Sequence, residues 1–476
     1  MGDFRSEKPS EGDAQSDEVA GATASVPFQD VQCPPHTTER RLLVKIDLHV
    51  VPFLCIMYLL AFLDRVNISN ANVFGLSTEL GLKKTEFNAA LVIFFVPYVL
   101  FEIPSNLLLK KLRPNVWLSI NMFGFGLVTL LQGLVTNYSG LLAARFFLGV
   151  FETGMFPGAF YLIGMWYKRN EAQRRYSFFF FNSTTLAGAF GGLLAAAIGK
   201  MDGLRGYKGW RWIFIIKGGV TVVWLSPEEK EYVTTRLRID QGQSSSGRDR
   251  KVTWKDVGNV FKDYKIILGG FMYFGLIVPA LRVLCPWHHP GLRLQPHPDA
   301  AAQCAPWAVA FVFSMAIAVC SDKLRHRFGF AVSAICVAIA GFAILISVHD
   351  KTSVQYVGLF LVASGAYTAM PIIVCWFNMN LGGHHRRSIG SAWQIGFGNI
   401  GGIIASFSFT DAAKPRYIPG YSICIAFTIL SMLSVVAYAA ACVLQNRRKS
   451  RAAGAGGLTE EKEDLGDMAP GYRYLL

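Results

Sequence analysis

Asp64 and Arg65 follow an unbroken apolar run from Val50 to Leu63. Arg145 and Glu152 lie in a second run, Arg145-Phe146-Phe147-Leu148-Gly149-Val150-Phe151-Glu152-Thr153-Gly154. A charge at the centre of a bilayer costs roughly 2.5–3.5 kcal/mol or more unless it is paired or wet, so such residues mark functional sites. An arginine near two carboxylates suits one chemistry in particular. The guanidinium holds an organic anion, and a carboxylic side chain carries a proton.

Spacing supports a shared site. Arg145 and Glu152 stand two helical turns apart on one face, with Gly149 between them leaving room for a ligand or a facing helix. Asn67 and Asn70 share a face with Asp64 at i, i+3 intervals. At about 1.5 Å per residue, Asp64 lies about 28 Å along its helix and Glu152 about 24 Å from the end of its own, which sets the two carboxylates level with Arg145 above. Two plainer readings exist. The first helix could end at Leu63, or Arg145 and Glu152 could form structural ion pairs. Tyr98 and Glu102 share a face before Pro104, and Trp393, Gln394 and Asn399 lie among glycines. These either line the cavity or belong to close helix packing.

Twelve apolar stretches would position these residues, each needing about 20 residues to cross the hydrocarbon core. They fall at 46–72, 86–109, 115–136, 139–167, 176–199, from 211, from 265, and at 306–321, 328–348, 353–380, 388–409 and 420–445. The expected fold is an all-α polytopic membrane protein of two six-helix halves. The halves span 41–224 and 263–446, joined by a linker at 225–262, with disordered tails at 1–40 and 447–476. Hydrophobic residues make up 52% of the chain and charged residues 16%, and mean hydropathy is +0.34, as a membrane protein requires. The halves repeat: Arg174-Arg175 precedes Gly191-Gly192-Leu193-Leu194-Ala195, and Arg386-Arg387 precedes Gly401-Gly402-Ile403-Ile404-Ala405. Internal repeats around a midplane site are a transporter architecture.

The net charge of +14 is spread over short loops rather than one patch, so no nucleic-acid partner is expected. Basic loops alternate along the chain, which predicts both termini in the cytosol. The nine cysteines form no C-x-x-C pair and read as buried apolar groups. No P-loop, G-x-S-x-G or metal-spaced histidine cluster occurs, so no enzyme activity, metal or cofactor is expected. The expected partners are a small anionic substrate, protons and the lipid bilayer. The chain is expected to act as a monomer in the plasma membrane.

Three runs carry a family resemblance: Phe62-Leu63-Asp64-Arg65-Val66-Asn67-Ile68, Arg145 to Gly158, and Gly209-Trp210-Arg211-Trp212-Ile213-Phe214. They resemble the anion:cation symporters of the major facilitator superfamily, and most of all the fungal allantoate- and nicotinate-permease branch. The resemblance implies proton-coupled uptake of a small carboxylate by alternating access. It implies substrate binding at Arg65 and Arg145 and proton coupling at Asp64 and Glu152. Asn67, Tyr98, Gln394 and Asn399 would line the cavity. A conformational latch maps onto Lys110, Lys111 and Arg113, with Asp322 and Arg325 in the second copy. Export of a secondary metabolite and a defective, mis-spliced paralogue are the alternatives.

Three features depart from that pattern. The sixth stretch is short before Ser226-Pro227. Lys217 stands where the family has glutamate, deep in that stretch and with no evident partner. The seventh stretch gives way after Ala280 to a Pro-, His- and Arg-rich segment through Ala305, which suggests a frameshift or a mis-called intron.

Overall fold

A backbone crossing lipid must satisfy its own hydrogen bonds, which restricts it to helices or closed barrels. The computed structural model describes residues 39–112, 114–166, 172–199, 201–223, 254–283, 300–348, 351–382, 384–408, 417–454 and 472–476. Among these residues there is no strand. The first helices are α1 (Glu39–Val73), the single turn α2 (Leu76–Glu79), α3 (Lys84–Lys111), α4 (Pro114–Gln132), α5 (Tyr138–Glu152), α6 (Met155–Trp166), α7 (Ala172–Gly199) and α8 (Gly209–Val223). After the linker come α9 (Trp254–Phe261), α10 (Tyr264–Val283), α11 (Ala300–Leu324), α12 (Phe328–Ser347), α13 (Thr352–Asn380), α14 (His384–Ser408) and α15 (Ile418–Gly454). The described residues from Val51 onward belong to one compact unit.

Each of the twelve expected stretches coincides with helix. Among the described residues, seven helical spans are long and apolar enough to cross a membrane: Val51–Val73, Thr85–Leu109, Tyr138–Phe160, Ala305–Leu324, Phe328–Ser347, Ser353–Asn380 and Ile418–Arg451. Hydroxyls inside the apolar helices donate back to the preceding turn, as Thr129 does to the Phe125 carbonyl at 2.8 Å and Thr428 to that of Cys424 at 2.7 Å. This satisfies polar groups that lipid cannot.

Within the first half α3 packs on α5 and α4 on α8; within the second α10 packs on α14 and α15, and α12 on α13. The halves meet where α3 lies against α14 and α7 against α11. At the end of the bundle bearing the basic loops, here the linker end, polar bonds cross the same seam. The Arg174 amide donates to Asp322 at 2.9 Å, and Arg327 Nη1 donates to Gln173 at 2.9 Å. At the opposite end Glu79 accepts from Trp210 Nε1 at 2.6 Å and pairs with Arg211 at 2.9 Å. The Gly-Trp-Arg-Trp run therefore fixes the start of α8 to the turn after α1.

Four expectations need revision. The stretch 139–167 is two helices, because Gly154 takes φ +80° and a Cβ there would collide with Ser105. α11 starts at Ala300, earlier than 306. The expected linker contains the helix α9. The expected unstructured tail does not describe 447–454, which continue α15, nor Tyr472–Leu476, which dock on the second half. Asn380 Nδ2 donates to the Leu475 carbonyl at 3.0 Å and its Oδ1 accepts the Leu475 amide at 2.8 Å. Lys265 Nζ reaches the Tyr474 hydroxyl at 2.6 Å. Most of the suspected frameshift (284–299) and the end of the short sixth stretch (224–225) lie outside the described residues.

Candidate functional site

Helix α1 brings Asp64 and Arg65 to the helix pair α5 and α8. Asp64 is fully buried and held by two cations. Its Oδ2 accepts from Arg145 Nη1 at 2.9 Å, and its Oδ1 from Lys217 Nζ at 2.8 Å. Arg65 turns to the other side of α1 and grips Glu152 Oε1 through Nη2 at 2.6 Å and Nε at 3.0 Å. The sequence thus places all four expected charges at one site, and the pairing crosses: aspartate of α1 with arginine of α5, arginine of α1 with glutamate of α5. Helix α1 reaches both because adjacent residues on a helix point about 100° apart.

Lys217 corrects an expectation. It is not partnerless, since Asp64 neutralises it, and its ammonium also stands 4.8 Å from the centre of the Phe125 ring. The partner lies 153 positions earlier in the chain, beyond any local pattern. The room expected at Gly149 is filled by a facing helix: a Cβ there would strike the Phe94 carbonyl of α3. This close approach of α3 carries Tyr98 to the site, where the Arg65 guanidinium lies 5.2 Å from the ring centre of Tyr98 and 5.5 Å from that of Phe94.

Several buried polar atoms at the site have no hydrogen-bond partner: Arg145 Nε and Nη2, Glu152 Oε2, and both carboxyl oxygens of Glu102. Leaving such groups unmatched costs about 1–3 kcal/mol each, more for charged ones, so each points to a ligand or a proton. Three cations, Arg65, Arg145 and Lys217, face the two paired carboxylates Asp64 and Glu152. The site can therefore accept an anion. Among the described residues no group of three or more His, Cys, Asp or Glu could hold a metal.

The remaining expected residues separate. Asn67 is buried on α1. Gln394 donates to the Gly269 carbonyl at 3.2 Å and Asn399 to that of Ile395 at 2.8 Å, while their side-chain oxygens stay buried and unmatched. Among the described residues no hydrogen bond or ion pair joins either to the charged group. In the expected latch, Asp322 does bridge the halves. Arg325 is exposed at a left-handed turn, φ 52°, and Arg327 instead pairs with Asp322 at 3.3 Å. Lys110 and Lys111 close α3, but their side chains lie outside those described, as does Arg113.

The family model of the Major Facilitator Superfamily matches residues 54–406, which include the whole charged site. The chain belongs to the Major Facilitator Superfamily. Relatives at full length agree. The MFS transporter prlL of a fungal species (strain NRRL 50135) is 32% identical over 87% of this chain and 89% of its own. The MFS-type transporter cnsO of Penicillium expansum is 30% identical over 92% and 91%. The Major facilitator-type transporter hxnP of Emericella nidulans is 29% identical over 92% and 93%. Among solved structures, the E. coli fucose:proton symporter FucP superposes with a TM-score of 0.57 over 82% of this chain at 15% identity. The human organic anion transporter TETRAN gives 0.54 over the same share at 12% identity, so both speak to fold. This chain is thus a multi-pass membrane transporter of that superfamily.

Sequence reasoning missed four contributors to this transporter: the role of Lys217, the ring of Phe125, and the seam residues Gln173 and Arg327. Lys217 gave a signal, a cation in an apolar helix, that named the residue but not its partner. Gln173 and Arg327 gave none, because a polar residue beside a basic loop reads as solvated surface.

Proposed function

We propose that this MFS transporter takes up a small organic anion, a carboxylate nutrient of the nicotinate or allantoate kind, in symport with protons by alternating access. The observation that carries the proposal is Arg145. It is buried with Nε and Nη2 unmatched beside two further cations, an arrangement that a substrate carboxylate completes. Arg65 and Lys217 supply the remaining positive field, and Tyr98 and Phe94 wall the site around the Arg65 guanidinium.

Protonation of Asp64 or Glu152 would loosen their hold on the cations and release donors to the substrate, which couples the two ligands. Rocking of the halves about the α3–α14 and α7–α11 seams then exposes the site to either side. In this conformation the linker end is bonded shut by Arg174, Asp322, Gln173 and Arg327. The motifs at Asp64, Arg145 and Gly209 support a reading of the chain as an anion:cation symporter, and the basic loops support both termini in the cytosol of a plasma-membrane protein.

The test is uptake of radiolabelled nicotinate, allantoate and related carboxylates by cells expressing the chain, with and without a protonophore. Protonophore-sensitive uptake is expected, and uptake indifferent to the protonophore refutes symport. Arg145→Ala is expected to lower uptake by roughly 10- to 100-fold, from the 1.5–3 kcal/mol of a charged hydrogen bond, while the protein still reaches the membrane. Unchanged uptake removes Arg145 from the site.

A further inference from the structure

Glu102 belongs to no ion pair among the described residues, yet it is 1% exposed. It lies in α3, where that helix crosses α14 of the other half. A Cβ on Gly396 of α14 would stand 3.0 Å from both Cβ and Cγ of Glu102, so the glycine lets the two halves close directly over the glutamate stem. Neither carboxyl oxygen has a hydrogen-bond partner. The Gly154 amide, freed by the break between α5 and α6, approaches the carboxyl outside hydrogen-bond geometry. The titratable groups facing it are Arg65 from α1, Glu152 from α5, Tyr98 from its own helix and Tyr273 from α10. Arg65 is already engaged twice with Glu152.

Asp64 is the opposite case, with each of its oxygens on a cation. The charge of a carboxylate held in that way is balanced by its partners, whereas one sealed between helices without a donor is accommodated as the neutral acid. We infer that Glu102 is the seam proton site of this transporter: it is protonated while α3 and α14 are closed over it and gives the proton to water when the halves part. In that step its O–H bond breaks, the electron pair stays on the carboxylate, and the proton leaves as hydronium. Closing the seam again requires a proton to return. The inference rests on the symport reading and adds to it a residue outside the anion-holding group, at the place where the moving parts meet.

The experiment combines infrared spectroscopy with transport. Purified protein in liposomes is compared between acidic and alkaline buffer, and the protonated-carboxyl C=O band is recorded for wild type, E102Q and D64N. The wild-type spectrum is expected to contain one protonated-carboxyl component that E102Q lacks and D64N keeps; identical bands in wild type and E102Q overturn the inference. In cells, protonophore-sensitive accumulation of the carboxylate that wild type concentrates, from the nicotinate and allantoate panel, is expected to fall at least tenfold in E102Q. If E102Q does not reach the membrane, Glu102→Asp replaces it. That variant keeps a proton site at a different depth, so a pH profile of uptake shifted from wild type is expected and an unshifted profile overturns the inference. Wild-type uptake indifferent to protonophore would sink symport itself. Protonophore-sensitive uptake that E102Q leaves intact would sink the role of Glu102 alone.

Discussion

Replacing Asp64 with asparagine keeps its shape and removes its charge, which leaves Arg145 and Lys217 buried without their common counterion. Breaking a buried pair from one side costs about 3–5 kcal/mol, most of it the desolvation of the stranded partner. Here two partners are stranded, at 2.9 and 2.8 Å, so the upper part of that range applies. Lys217→Met is different. It removes one cation, keeps an unbranched side chain beside Phe125, and leaves Asp64 paired with Arg145. Its expected cost is below about 1.5 kcal/mol, the range for volume-conserving core changes. The double variant strands one cation instead of two, so it should lose at least about 1 kcal/mol less than the sum of the single changes. Thermal unfolding of detergent-purified protein, followed with a thiol-reactive dye, ranks the four proteins. The expected order is wild type, Lys217→Met, the double variant, then Asp64→Asn. Additive losses, or a Lys217→Met as damaging as Asp64→Asn, would show that the two cations do not share Asp64 and would refute the assembled site.

Two further predictions concern the linker end. Asp322→Asn weakens the charge-assisted bonds to the Arg174 amide and Arg327 that hold the halves together, so a cysteine placed at Ser388 should react faster with a thiol reagent applied from that side, by about tenfold for each 1.4 kcal/mol lost; an unchanged rate would remove Asp322 from the clasp. Removing Tyr472–Leu476 takes the Leu475 carbonyl from Trp376 and Asn380, and should lower the melting temperature at a cost of roughly 1–3 kcal/mol per unmatched buried group; a melting temperature equal to that of the full chain would show that the segment is not docked.

The twelve helices were legible because lipid imposes one rule on every residue. Apolar runs of the right length must be helical, and each of the twelve expected stretches coincides with helix. The ionisable residues inside those runs were legible for the same reason, as their cost in lipid marks them. The break at Gly154 was not legible, since Thr153-Gly154 reads as a continuing helix until Ser105 is known to lie against it. Residues 472–476 were misread as part of an unstructured tail because their partners, Asn380, Trp376, Lys265 and Asn446, are distant in sequence.

By itself the sequence determined the superfamily, the twelve apolar stretches and the identity of the charges at Asp64, Arg65, Arg145 and Glu152. Only the tertiary structure decided how those charges pair, because a pairing depends on which helices touch and on how each is rotated about its axis. That gave Lys217 its counterion and chose the facing helix over the ligand at Gly149. It also set Glu102 at the seam between the halves, against Gly396, which its four-residue spacing from Tyr98 on α3 could not show.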